Sequence, residues 1–153
     1  DRYRRGIYTI WRRSSPYPSF SAFDAPDRSS CTVKRPRTNT PLQALTLMND
    51  PVYVEAAIAF GHRVLNERQK ASDRERLTYA FRLVLSRTPS DRELLLLEQL
   101  LERAKRRYAN APKDAQQILQ NASTKYAEDP VTLAAWFQVG TVLLNLDETI
   151  TKG

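Results

Sequence analysis

Residues 72–87, SDRERLTYAFRLVLSR, and the run that follows, TPSDRELLLLEQLLERAKRRY over 88–108, decide the fold. In the first, Leu77, Ala80, Phe81, Val84 and Leu85 recur at the i, i+3, i+4, i+7, i+8 spacing of one helix face. Ser72 stands three residues before Glu75, the reciprocal pairing of a capping box. The second run repeats the device with Ser90 and Glu93, and its acids lead while its bases trail, which suits the helix dipole. Two capped helices joined by a short turn predict a helical hairpin.

Outward from this hairpin the helical reading continues in both directions. NTPLQALTLMN (39–49) offers Asn39 or Thr40 as N-cap and Pro41 at the first helical position, where its missing N–H costs nothing. Leu42, Leu45 and Met48 fall on one face of that helix. Asp50 and Pro51 restart the chain, so a break is expected there, followed by a helix with Val52, Ala56, Phe60 and Val64 as its inner stripe. KDAQQILQNAS (113–123) predicts a shorter helix. DPVTLAAWFQVGTVLLNLDE (129–148) opens on Asp129–Pro130 and is apolar nearly all round, which predicts the centre of a bundle. Its apolar run, LAAWFQVGTVLLNL, is too short and interrupted to cross a bilayer, so no membrane insertion is expected.

The first 37 residues differ. They show no helical period, and GIYTIW (6–11) reads as a short strand or the end of a helix. SSPYPSFSAFDAPDR (14–28) is turn-rich, with three prolines that exclude regular ladders and helix interiors. Tyr17, Phe20 and Phe23 are available to pack such a stretch. Nine Arg/Lys against three Asp fall in residues 1–37, so most of the net charge of +7 belongs to this segment. An acidic partner would dock there. The expected organisation is an irregular basic arm, 1–38, packed on a mostly α body of five to six helices, 39–153. The chain opens on Asp1 with no initiator Met, and a fragment of a longer protein is expected.

Candidate chemistry is sparse. Asp24, Asp27, Asn39, Asn49 and Asp50 carry short oxygen side chains that could converge on a hard cation, although no calcium-loop spacing is present. Each is read instead as closing a turn or capping a helix. Asp24 and Asp27 lie near Arg28, Lys34, Arg35 and Arg37, a grouping that could do acid–base work on a sugar or hold an acidic glycan. The preferred reading is a network in which arginine forks clip the arm to the body, with Asn39, Thr40 and Gln43 completing its hydrogen bonds. Cys31 and His62 are single copies, which excludes a zinc shell and leaves no spacing that suggests a Cys–His nucleophile. No C-x-x-C-H occurs, so covalent haem attachment is excluded and no cofactor is expected. The arm residues Arg2, Tyr3, Arg4, Arg5, Tyr8, Trp11, Arg12 and Arg13 interleave bases with rings as single-strand binders do. The body is balanced in charge and has no nucleic-acid motif, so no nucleic-acid partner is expected.

The run RRGIYTIWRRSSPYPSFSAFDAPDRSSCTVKRPRTNTPLQALTLMNDPVYVEAA (4–57) resembles the planctomycete-specific PSD-one domain family. YAFRLVLSRTPSDRELLLLEQLL and AAWFQVGTVLLNLDETIT are similar to that family's helical hairpin and last helix, with Thr149 standing where an aromatic is expected. The resemblance implies a C-terminal domain of unknown function in large exported proteins, often with a cytochrome-c-like domain upstream. It implies an extracytoplasmic setting and supplies no reaction. The expected function is a non-catalytic docking or scaffold module whose partners are the upstream domains of the same chain. The alternative is part of a carbohydrate-acting or acidic-polysaccharide site completed by those domains.

Overall fold

The computed structural model describes residues 6–12, 14–26, 30–34, 36 and 38–151. Among the described residues, one 3₁₀ turn (Gly6–Tyr8) precedes eight α-helices: α1 (Pro18–Ala22), α2 (Pro41–Asn49), α3 (Pro51–Glu67), α4 (Asp73–Leu85), α5 (Asp91–Asn110), α6 (Pro112–Leu119), α7 (Pro130–Leu144) and α8 (Asp147–Ile150). No strand occurs among the described residues, and the fold is mostly α. The six longer helices are those the periodicity predicts, while α1 and α8 are short additions. GIYTIW is neither strand nor long helix but one 3₁₀ turn. The turn-rich stretch contains α1 because Pro18 sits at its first position, where proline is tolerated.

The helix starts follow from local chemistry. Thr40, Ser72 and Ser90 each accept from the backbone N–H three residues on, and Gln43, Glu75 and Glu93 reach back to complete three capping boxes. Asp50 accepts from Val52 N, and Asp129 from Thr132 N. Each cap satisfies donors that the first turn of a helix leaves open.

α7 lies at the centre, packed against α3, α5 and α6. It buries Leu133, Ala134, Ala135, Trp136, Val139, Gly140 and Leu143. The buried face of α3 is Ala57, Ile58, Gly61, Val64 and Leu65; of the expected stripe Val64 is buried, Val52 and Phe60 are half-buried, and Ala56 is exposed. The face is turned by about one position because Gly61 meets α7 at the backbone level. A Cβ there would stand 3.1 Å from the Trp136 carbonyl carbon. α5 buries Leu94, Leu97, Leu101, Ala104 and Tyr108, and α4 buries Leu77, Ala80 and Phe81. Thr149 donates to the Leu143 carbonyl at 2.8 Å, so a hydroxyl that closes the end of α7 occupies the position where an aromatic was expected.

Arg87, just after α4, ties the hairpin turn to α8. Its Nη2 donates to Glu93 Oε1 at 2.8 Å and to Glu148 Oε2 at 2.7 Å. The bonding from Arg87, followed by that from Ser90, holds the Glu93 carboxyl down to about 2. A carboxyl depressed below its unfolded value of about 4.3 contributes stability above that pH and loses it as pH falls toward the folded value. The melting temperature is therefore expected to drop from about pH 4.5 to about pH 2. Arg87→Met should flatten that acid limb in thermal scans. An unchanged limb would show that this fork carries none of it.

Candidate functional site

The side chains flagged in the sequence meet first at the junction of the arm with α2. Asp24 follows α1 with a φ of 58°, in the left-handed region that Asp tolerates better than most residues. Its Oδ2 accepts from Thr38 N at 2.8 Å, and the Thr38 hydroxyl lies 2.8 Å from both carboxylate oxygens. Gln43 Nε2 donates to Thr38 Oγ1 at 3.0 Å and reaches Asp24 Oδ2 at 3.5 Å. Gln43 Oε1 accepts from Thr40 N at 3.0 Å. Gln43 is 1% exposed, so its amide is tolerated in the interior because both ends are bonded. Asp24, with its oxygens taken up by Thr38 and Gln43, acts here as an acceptor that anchors the arm.

The other flagged residues do not join this group. Asn39 donates to Asp147 Oδ1 at 2.7 Å and links the start of α2 to α8. Asn49 bonds back to the Leu45 carbonyl at 2.8 Å, and Asp50 caps α3 through Val52 N at 2.8 Å. Convergence of Asp24, Asn39, Asn49 and Asp50 on one cation is therefore not what the structure shows. Among the described residues, no three His, Cys, Asp or Glu side chains are grouped to hold a metal. Asp27, Arg28, Arg35 and Arg37 lie outside the described residues, as do Arg2, Tyr3, Arg4, Arg5 and Arg13. Thr38, which the sequence reading passed over, is central to the junction. Its only signal was a threonine two residues ahead of an N-cap.

Ring packing holds the rest of the arm. Trp11 stacks on Phe20 with centroids 5.4 Å apart, Tyr17 meets Phe20 edge-on at 5.5 Å, and Phe23 lies 5.8 Å from Tyr53 of α3. Cys31 is exposed.

A second polar contact was not legible at all. His62 Nδ1 lies 2.6 Å from Glu128 Oε1, and its ring sits 4.4 Å from that of Tyr126. Two helical turns away on α3, the buried Glu55 accepts from Ser123 N at 2.8 Å. Two side chains of α3 thus hold the segment between α6 and α7. Beside it lies a cavity of about 530 Å³ bordered by Leu119, Tyr126, Glu128 and Leu133. No motif spacing links residues 66 positions apart; only the packing of α3 on α7 brings them together.

α2 carries the most unusual surface. Leu42, Leu45 and Met48 are 60%, 54% and 46% exposed, while the polar Gln43 is buried. An amphipathic helix normally turns its apolar stripe inward. Here polar groups anchor the inner side, and the apolar side faces outward.

Comparison with curated proteins and with solved structures found no match. A family model does match, over residues 1–101, and it spans the arm, its junction with α2, and the α4–α5 hairpin up to Leu101. That model is PSD1, a protein of unknown function (DUF1553), and because it covers most of the chain, this protein belongs to the PSD1 family.

Proposed function

We propose that this chain is a non-catalytic helical docking module of a larger exported protein, and that its partner is the upstream part of the same polypeptide. The observation that carries the reading is the outward apolar face of α2, formed by Leu42, Leu45 and Met48. Fully covering a Leu or Met side chain is worth about 1.5–3 kcal/mol, so three half-exposed ones are a substantial incentive to associate. The polar groups beneath them act as supports, since Asp24, Thr38, Thr40 and Gln43 are hydrogen-bonded to one another. A rigidly seated helix loses little further freedom on binding, which favours it as a docking element. The extracytoplasmic setting follows from the family resemblance alone.

Titration calorimetry of the 153-residue chain against the upstream part of its parent polypeptide tests this. Association with a large negative heat-capacity change is expected, the mark of apolar burial. Leu45→Asp should weaken it by roughly tenfold or more while leaving the melting temperature near that of the parent chain, because Leu45 is more than half exposed. Failure of the unaltered chain to associate would sink the reading.

A further inference from the structure

The arm and the start of α3 enclose a cleft of about 990 Å³, separate in chemistry from the outward face of α2. Five rings border it: Tyr8, Tyr17, Phe20 and Phe23 from the arm and Tyr53 from α3. Asp50 is the one charged residue among the described residues that line it, in a chain carrying 24 Lys and Arg. Among the described lining residues the formal charge is therefore negative, opposite in sign to the net charge of the protein. Asp50 uses Oδ1 to cap Val52 N, which fixes the carboxylate at the cleft wall.

The rings do not form a flat platform. Tyr17 stands at 65° to Phe20 and Phe23 at 57° to Tyr53, while Trp11 covers one side of Phe20 by stacking on it. A sugar face wants one broad open ring; angled rings suit a compact, rounded group. Burial pushes the Tyr53 phenol up, with Asp50 and then Tyr17 adding to it, so the Asp50 carboxylate lies close enough to Tyr53 to act on it. Negative ring faces and a fixed carboxylate attract a cation, and partial removal from water strengthens that attraction. Gly6 closes the arm over the cleft: a Cβ there would stand 3.0 Å from the Phe20 ring.

We propose that this cleft binds an alkylated ammonium group, with the angled Tyr17, Phe20 and Tyr53 rings against its methyls and the Asp50 carboxylate as counter-charge. The inference goes beyond the docking reading and stands without it. A quaternary ammonium reaches such a cleft on a methylated lysine side chain or on a choline headgroup, and the chemistry recognised is the same.

The test is an NMR titration of the 153-residue chain with choline chloride, following the aromatic ring signals. Shifts confined to the Tyr17, Phe20 and Tyr53 rings are expected. Asp50→Asn keeps the helix cap, because Asn caps as well as Asp, but removes the charge, and should weaken binding roughly tenfold with the melting temperature held. Trimethyllysine amide and phosphatidylcholine vesicles, run in parallel, identify the natural source by which binds more tightly. The proposal is overturned if choline shifts no cleft ring, or if its neutral isostere with a quaternary carbon binds equally well. Undiminished binding by Asp50→Asn, or cleft shifts with methyl glucoside and none with choline, would overturn it too. Leu45→Asp, which tests the docking face, should leave choline binding unchanged, so failure of one idea is distinguishable from failure of the other.

Discussion

Gly140→Val is expected to destabilise the chain by about 3 kcal/mol or more, a fall of roughly 6–12 °C in melting temperature for a domain of this size. Gly140 lies in the buried face of α7, and a Cβ built on it stands 2.9 Å from the Ala57 carbonyl oxygen and 3.3 Å from the Phe60 ring. The first of these neighbours is backbone of α3, which no rotamer change can move aside. Valine would therefore push apart the two helices that form the largest contact of the bundle. The displacement opens gaps around Trp136 and Ile58, both almost fully buried, and lost packing adds to the strain. Gly61→Ala offers a graded comparison, since its nearest obstacles, backbone atoms of Trp136 and Phe137, lie at 3.1–3.2 Å. It should destabilise in the same direction by less. Thermal unfolding followed by circular dichroism measures both, and a Gly140→Val protein melting with the parent would show that α3 and α7 are not locked at this crossing.

That crossing also marks where sequence reading stops. The α4–α5 hairpin was legible because its information is local: Ser72 with Glu75, Ser90 with Glu93, and an unbroken apolar period between them. The central position of α7 was legible for a related reason, because a helix apolar on every side has to be surrounded. The inner face of α3 was misplaced by about one position. Ala56 and Ala57 are chemically alike, and only the approach of Gly61 and Gly140 to the partner backbone selects between them. α1 escaped notice because five residues give no period, and Pro18 reads as a breaker until it is known to stand first in the helix. At the candidate site, the capping roles of Thr40 and Asp50 were local and readable. Burial of Gln43 was not. It depends on Asp24 and Thr38, brought to it by a turn whose geometry no pattern announces. The His62–Glu128 contact is of the same kind, made by tertiary packing between positions with no sequence relation.

Asp24→Ala is the second substitution for which a large effect is expected, about 2–3 kcal/mol, and its consequences should be local before they are global. The change removes the acceptor for Thr38 N and for the Thr38 hydroxyl, and takes away one partner of the buried Gln43 amide. It also leaves alanine at a φ of 58°, which costs about 1 kcal/mol that Asp tolerates better through its short polar side chain. Amide exchange at Thr38 should accelerate strongly, and the arm carrying Trp11 and Phe20 should loosen before the α3–α5–α7 core melts. Asp24→Asn retains a carbonyl acceptor and the left-handed preference, so it should recover much of the loss. Asp24→Gly relieves the backbone but supplies no acceptor, and should recover only the strain. This ordering, Asn milder than Gly and Gly milder than Ala, separates a hydrogen-bonded anchor from a merely strained turn. If Thr38 exchange and the melting temperature are the same in Asp24→Ala as in the parent, the carboxylate is not holding the arm. Its two oxygens would then be available to a ligand, and the outward presentation of α2, which depends on Gln43 being held inward, would need another cause.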